Sequence, residues 1–255
     1  MCNEPKLLVA SHKPYWMPND SMYVPVQVGA RGRASIDGFI RDDEGDNISE
    51  KNPRYSELTA LYWGWKNTDA DYLGLAHYRR HFSGSGERGV ATRQDVVKKL
   101  SKAPVLLPKK RRYYIETIES HYAHTFEQVH LDILREILEG CSPDVLPYFE
   151  SHLGSRSAHI WNMMIMRRDI VEQWCAWLFP VLEQAENRID FSRMSAFEAR
   201  VIGRLSERLL DPWLASQGVP FTELPVVSLE KVDWIKKGGS FLTAKFRGRK
   251  YTESF

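Results

Sequence analysis

Short apolar runs alternate along this chain with longer stretches in which apolar residues recur every three or four positions. Residues 6–10 (KLLVA) read as a buried strand that Ser11-His12-Lys13-Pro14 closes. Residues 23–28 (YVPVQV) alternate like a strand, with Pro25 calling for an edge position or a strand start. The stretch 29–45 reads as loop, and its Asp42, Asp43, Glu44 and the nearby Asp46 are expected to be solvated, because they lack the alternating spacing of a calcium loop. Asn52-Pro53 marks a helix start, and Leu58, Leu61, Tyr62 and Trp65 give that helix one apolar face as far as Asn67. A turn at 68–71 leads into a buried strand, 72–76 (YLGLA), and then a polar tip, His77-Tyr78-Arg79-Arg80-His81.

The same rhythm predicts helices over 92–102, 116–138 and 143–153, and strands over 104–108 and 159–166. Asp169 can cap the next helix, which Pro180 should kink or divide. A last long helix is expected over 195–216 and an extended segment over 225–229. Strands alternating with helices predict an α/β fold, with a mostly parallel central sheet flanked by helices.

Composition narrows the function classes. A length of 255 residues suits one domain, expected at 1–230, followed by a basic, aromatic tail at 231–255. Three widely spaced cysteines with no CxxC exclude a disulfide framework and a zinc ribbon, and point to a reducing, cytoplasmic setting. No window reaches transmembrane length, and the first residues are too polar for a signal peptide. A net charge of +2 argues against a nucleic-acid binder, so no nucleic-acid partner is expected. Phosphate-binding glycine loops and nucleophile elbows are missing from the sequence.

The candidate chemistry lies at strand ends. Asp69-Ala70-Asp71 resembles the metal-binding Asp-x-Asp of nucleotide-sugar transferases, but it precedes its strand, whereas ligands of open α/β sheets bind at the carboxyl ends. No metal site is therefore assigned and no cofactor is expected, although a divalent Mn or Mg ion stays open. His77, Arg79 and Arg80 lie at the correct end, and arginine matches phosphate geometry without a metal. Ser11 and His12 end the first strand in the same way. Arg200, Gly203 and Glu207 follow at i, i+3 and i+7, which reads either as a substrate notch or as an ion pair beside a close helix crossing.

Together, GDNISEKNPRYSELTALYWGWKN, DYLGLAHYRRHF, NMMIM, WCAWLF and the R-x-x-G-x-x-x-E-R-L of Arg200, Gly203, Glu207, Arg208 and Leu209 resemble the family known as domain of unknown function 4422. The likeness runs from about Leu7 to Trp213. Its members resemble bacterial glycosyltransferases of capsule, exopolysaccharide and O-antigen synthesis. The resemblance implies a GT-A-like nucleotide-diphospho-sugar transferase fold. It also implies transfer of a hexosyl group, galactosyl favoured, from a UDP-sugar to a glycan or lipid-linked oligosaccharide acceptor. On that reading Ser11 and His12 seat the nucleotide. Asp46, Asn47, Asn52 and Glu57 contact base, ribose or sugar, and His77, Arg79 and Arg80 bind the diphosphate. Asn162, Arg200 and Glu207 face the reacting sugar, with Glu207 as the general base of an inverting transfer. The basic run Lys109 to Arg112 and the tail would suit peripheral contact with an anionic membrane, at the inner face of the plasma membrane. The alternative is a non-catalytic sugar or nucleotide-sugar binding subunit of a polysaccharide assembly complex.

Overall fold

A computed structural model describes residues 4–230; the basic, aromatic segment expected at 231–255 lies outside them. The strands are β1 (Pro5–Ser11), β2 (Tyr23–Gln27), β3 (Ile40–Arg41), β4 (Tyr72–His77), β5 (Arg80–Phe82), β6 (Val105–Pro108), β7 (Arg111–Arg112), β8 (Ser157–Ala158), β9 (Met164–Arg167), β10 (Phe221–Leu224) and β11 (Val226–Ser228). The main sheet runs in the order β10-β6-β9-β4-β1-β2-β3, with β5 joining β4 to β11 at one end. β1, β2, β3 and β4 are mutually parallel, as are β6 and β10, while β9 runs antiparallel between β4 and β6. The sheet is thus mostly parallel, as expected.

Period-two alternation inside the buried strands separates two cores. Leu8, Ala10, Leu73, Leu75, Met164 and Met166 face the larger one, and Leu7, Val9, Ala76, Leu106 and Ile165 face the smaller. Helices α1 (Asn52–Tyr55), α2 (Leu58–Asn67), α3 (Arg93–Leu100), α4 (Ile118–Ala123), α5 (Val129–Cys141), α6 (Leu146–Gly154), α7 (Arg168–Arg188), α8 (Val201–Ser206) and α9 (Leu210–Ser216) cover the two faces. α3 supplies Val96 and Leu100 to the smaller core, and α7 supplies Trp174, Cys175, Leu178 and Leu182 to the larger. Pro25 is tolerated in β2 because β3 pairs only with Val26 and Gln27, so no ladder bond is lost on that side.

Several helices differ from their expected form. The helix expected from Asn52 to Asn67 is two helices, parted at Ser56, whose φ of 53° and ψ of −129° are non-helical. Asn52 does not cap: it is the first residue of α1, and its amide donates across the break to the Ser56 carbonyl at 2.7 Å. The stretches expected as single helices over 116–138 and 195–216 are likewise divided into α4 and α5, and into a 3-10 turn, α8 and α9. Pro180, by contrast, does not divide α7. It is solvent-exposed on the outer face, where water can take the freed carbonyl one turn back. Asp169 lies in the first turn of α7 rather than capping it, and pairs with Arg167 at 2.6 Å.

Candidate active site

β1 and β4 are parallel neighbours, so Ser11 and His77 leave the sheet at the same edge. Antiparallel β9 enters at that edge, which places Trp161 and Asn162 beside His77. Both take positive φ, 74° and 52°, so the predicted strand over 159–166 is bent here and begins only at Met164. The break at Ser56 turns Glu57 toward this edge. The Asn162 amide donates to Glu57 Oε1 at 2.7 Å and to the Gly203 carbonyl at 3.0 Å. His77 Nε2 lies 2.5 Å from the Trp161 carbonyl and 3.6 Å from Glu57 Oε1. A carbonyl only accepts, so Nε2 carries a proton in this arrangement. Gly203 suits the close approach of α8 to α1, since a Cβ there would stand a tight 3.2 Å from the Tyr55 carbonyl. The close crossing brings the Gly203 carbonyl within reach of Asn162, while Glu207 pairs with Arg204 and Arg208 rather than with Arg200.

Cations gather around this constellation. His12 is held below its ordinary pKa by loss of solvent, then by the charges of Lys13, Arg200, Arg79 and Arg33. Arg80 is pressed down by burial first and by Arg79 next, while Glu207 and Glu57 pull it up. Its guanidinium lies 5.5 Å from the centre of the Trp161 ring. Arg79 reaches Glu230 at 3.4 Å and the Tyr78 ring at 5.3 Å, and Lys13 lies over the same ring at 5.4 Å. An arginine remains charged through shifts of this kind, so the edge presents concentrated positive charge, suited to an anionic ligand.

Glu207 is 6% exposed, with Oε1 toward Arg204 at 3.4 Å and Oε2 toward Arg208 at 3.1 Å. Burial pushes its pKa up, but Arg204 and Arg208 outweigh that and hold the group below the usual carboxylate range. A carboxylate so engaged orients cations better than it accepts a proton, which tells against the expected role of Glu207 as general base. Glu57, by contrast, meets the Asn162 amide and the His77 ring through Oε1.

The remaining candidates separate. Ser11 is buried and its hydroxyl donates to the Lys13 carbonyl at 2.7 Å, which shapes the turn carrying His12. Arg200 is exposed at the start of α8. Asn52 packs beneath Gly29, Asn47 closes its own loop on the Asp43 and Gly45 carbonyls, and Asp46 is bound to Asn67 and Tyr62 at the far end of α2. Asp46 is therefore not brought to the strand ends with the others. Asp69 and Asp71 stand before β4, at the opposite edge from His77. Asp42, expected to be solvated, is fully buried and accepts from the Gly29 and Ala30 amides and from the Ser49 and Thr59 hydroxyls. Its donors come from three separate segments, which no local pattern discloses. The sequence pattern does not mark Lys13, Arg33 or Trp161 for the site; only the proximity of the strand ends assembles them.

The family described as Domain of unknown function (DUF4422) matches residues 6–218. No curated protein matches the chain. One solved structure, described as the apo form of WbbM, a bifunctional glycosyltransferase, is similar with a TM-score of 0.82 and 29% sequence identity. The likeness covers 90% of this chain and 46% of that one, so this chain spans less than half of its neighbour's length. The α/β arrangement is the GT-A-like one expected from the sequence.

Proposed function

We propose that this chain, which belongs to the DUF4422 family, is a glycosyltransferase that takes a hexosyl group from a nucleotide-diphosphate sugar. The supporting observation is the convergence of His12, Arg79, Arg80 and Arg200 on one sheet edge beside the Glu57–His77–Asn162 cluster. When the sugar leaves, negative charge builds on the departing diphosphate. Fixed guanidiniums stabilise that charge where it forms and need no reorganisation. His12 and the turn held by Ser11 would border the nucleotide, with a UDP-sugar favoured and galactose first among the sugars.

Glu57 is proposed as the group that accepts the acceptor's hydroxyl proton, held in place by the Asn162 amide. Arg204 and Glu207 would position the cations. The acceptor is proposed to be a glycan, carried on a lipid in the cell. The position of Asp69 and Asp71 at the opposite edge supports neutralisation of the diphosphate by arginine rather than by a metal on those aspartates. A thermal-shift panel of UDP-, GDP-, CMP- and dTDP-sugars tests the reading. A rise in melting temperature with UDP-sugars, accompanied by slow release of free sugar, supports it. Absence of both with every donor would overturn it, and binding without sugar release would favour a binding subunit instead.

A further inference from the structure

We propose that residues 109–115, together with Arg156, form a tip that docks the protein on an anionic lipid bilayer. The proposal does not depend on the reaction assigned above. Lys109, Lys110, Arg111 and Arg112 follow β6 and are all exposed. Pairing of β7 with β8 sets Arg111 opposite Ala158 and Arg112 opposite Ser157. That ribbon brings in Arg156, also exposed, whose carbonyl accepts from the Tyr113 amide at 2.9 Å. Only the fold adds this fifth cation to the basic run. Lys110 approaches Asp211 at 3.8 Å, but Lys109, Arg111, Arg112 and Arg156 have no ion-pair partner among the described residues. The neighbouring carboxylate Glu116 is already engaged by His121 at 3.1 Å and His124 at 2.8 Å.

The chain then turns at Tyr114, whose φ of 56° is unusual for a residue with a side chain. Tyr114 is left 77% exposed and Ile115 66% exposed, more than any other large hydrophobic among the described residues. The turn is pinned rather than loose. Buried Tyr113 anchors it, with Arg111 over its ring at 5.1 Å, and the amides of Ile115 and Ile118 donate to the Tyr113 and Ser155 carbonyls. An aromatic and an aliphatic side chain held out on a fixed turn, ringed by cations, fit the boundary between lipid headgroups and acyl chains. The cations supply attraction to anionic headgroups and the two apolar side chains supply insertion. β6 runs parallel to β4 two strands away, so the chain passes into this tip from the same sheet edge that carries His77. Docking would therefore turn the candidate active site toward the bilayer surface.

Sedimentation of the full chain with vesicles tests this. Binding is expected to vesicles of phosphatidylcholine mixed with phosphatidylglycerol, and not to pure phosphatidylcholine. Each lost cation should weaken binding about fivefold, so Lys109→Ala/Arg111→Ala/Arg112→Ala should cost on the order of a hundredfold. Tyr114→Ser/Ile115→Ser should weaken binding at least about tenfold. Arg111→Lys/Arg112→Lys should retain it, and all three variants should keep the wild-type melting temperature and affinity for UDP. The proposal falls if the wild type ignores anionic vesicles, if the two disruptive variants bind as the wild type does, or if an RNA oligonucleotide binds these residues more tightly than the vesicles.

Discussion

Ser56 and Asp42 each determine more of the site than their size suggests. The positive φ of Ser56 takes Glu57 out of the helical path, so that its carboxylate meets Asn162 at 2.7 Å. Glu57→Gln keeps the shape and the hydrogen bond but removes the base. It should lower kcat by about 10²–10⁴-fold with UDP affinity nearly unchanged, measured by steady-state kinetics and calorimetry. Glu207→Gln should behave differently, weakening donor binding along with turnover, because it loosens the cations. Asp42 holds four donors in a site with no solvent. Asp42→Ala should cost about 3 kcal/mol or more in chemical denaturation, because buried donors are left without acceptors.

At the scale of elements, strands were more legible than helices. β1 and β4 are short apolar runs with polar ends, and both form where the sequence places them, within a residue or two. The polar tip after β4 could be assigned to the binding edge because strand direction alone decides that. The helix breaks were not legible, since the 3.6-residue pattern of Leu58, Leu61, Tyr62 and Trp65 extends smoothly back toward Asn52 while tertiary contacts impose the turn at Ser56. The break between α4 and α5 has no Gly or Pro to announce it; Tyr122 and Phe126 are both drawn into the larger core across it.

The elements around α9 also set the acid stability. His159 is hydrogen-bonded to Asp211 on one side and lies 2.9 Å from Glu223 of β10 on the other. Burial raises the pKa of Asp211, but the His159 bond and the charges of His159, His152 and Lys110 lower it further. Burial also lowers His152 and His81 to about 4. All three groups bind protons more readily unfolded than folded. Their stabilisation is full above the unfolded values, near 6.5 for the histidines, and is lost as pH falls toward the folded ones. The melting temperature should therefore drop between pH 7 and pH 4. His81→Phe should flatten part of that fall, and an unchanged pH profile in this variant would count against the burial argument.

For the whole molecule, the two ends of the sheet carry different charged groups. The edge where β1 and β4 finish carries the cations and the Glu57 cluster, and Asp69 and Asp71 stand at the other edge. Transfer should survive excess chelator; strict dependence on added manganese would return the metal role to Asp69 and Asp71. No helix among the described residues is long and apolar enough to cross a membrane. Attachment by the 109–115 tip, as proposed, would be a contact at the bilayer surface. Calorimetric titration of UDP into wild type and Arg79→Ala/Arg80→Ala tests the central assignment most directly. Removing two guanidiniums from a diphosphate should weaken binding by at least about a hundredfold. Equal affinity in the two proteins would place the nucleotide elsewhere and contradict the site described here.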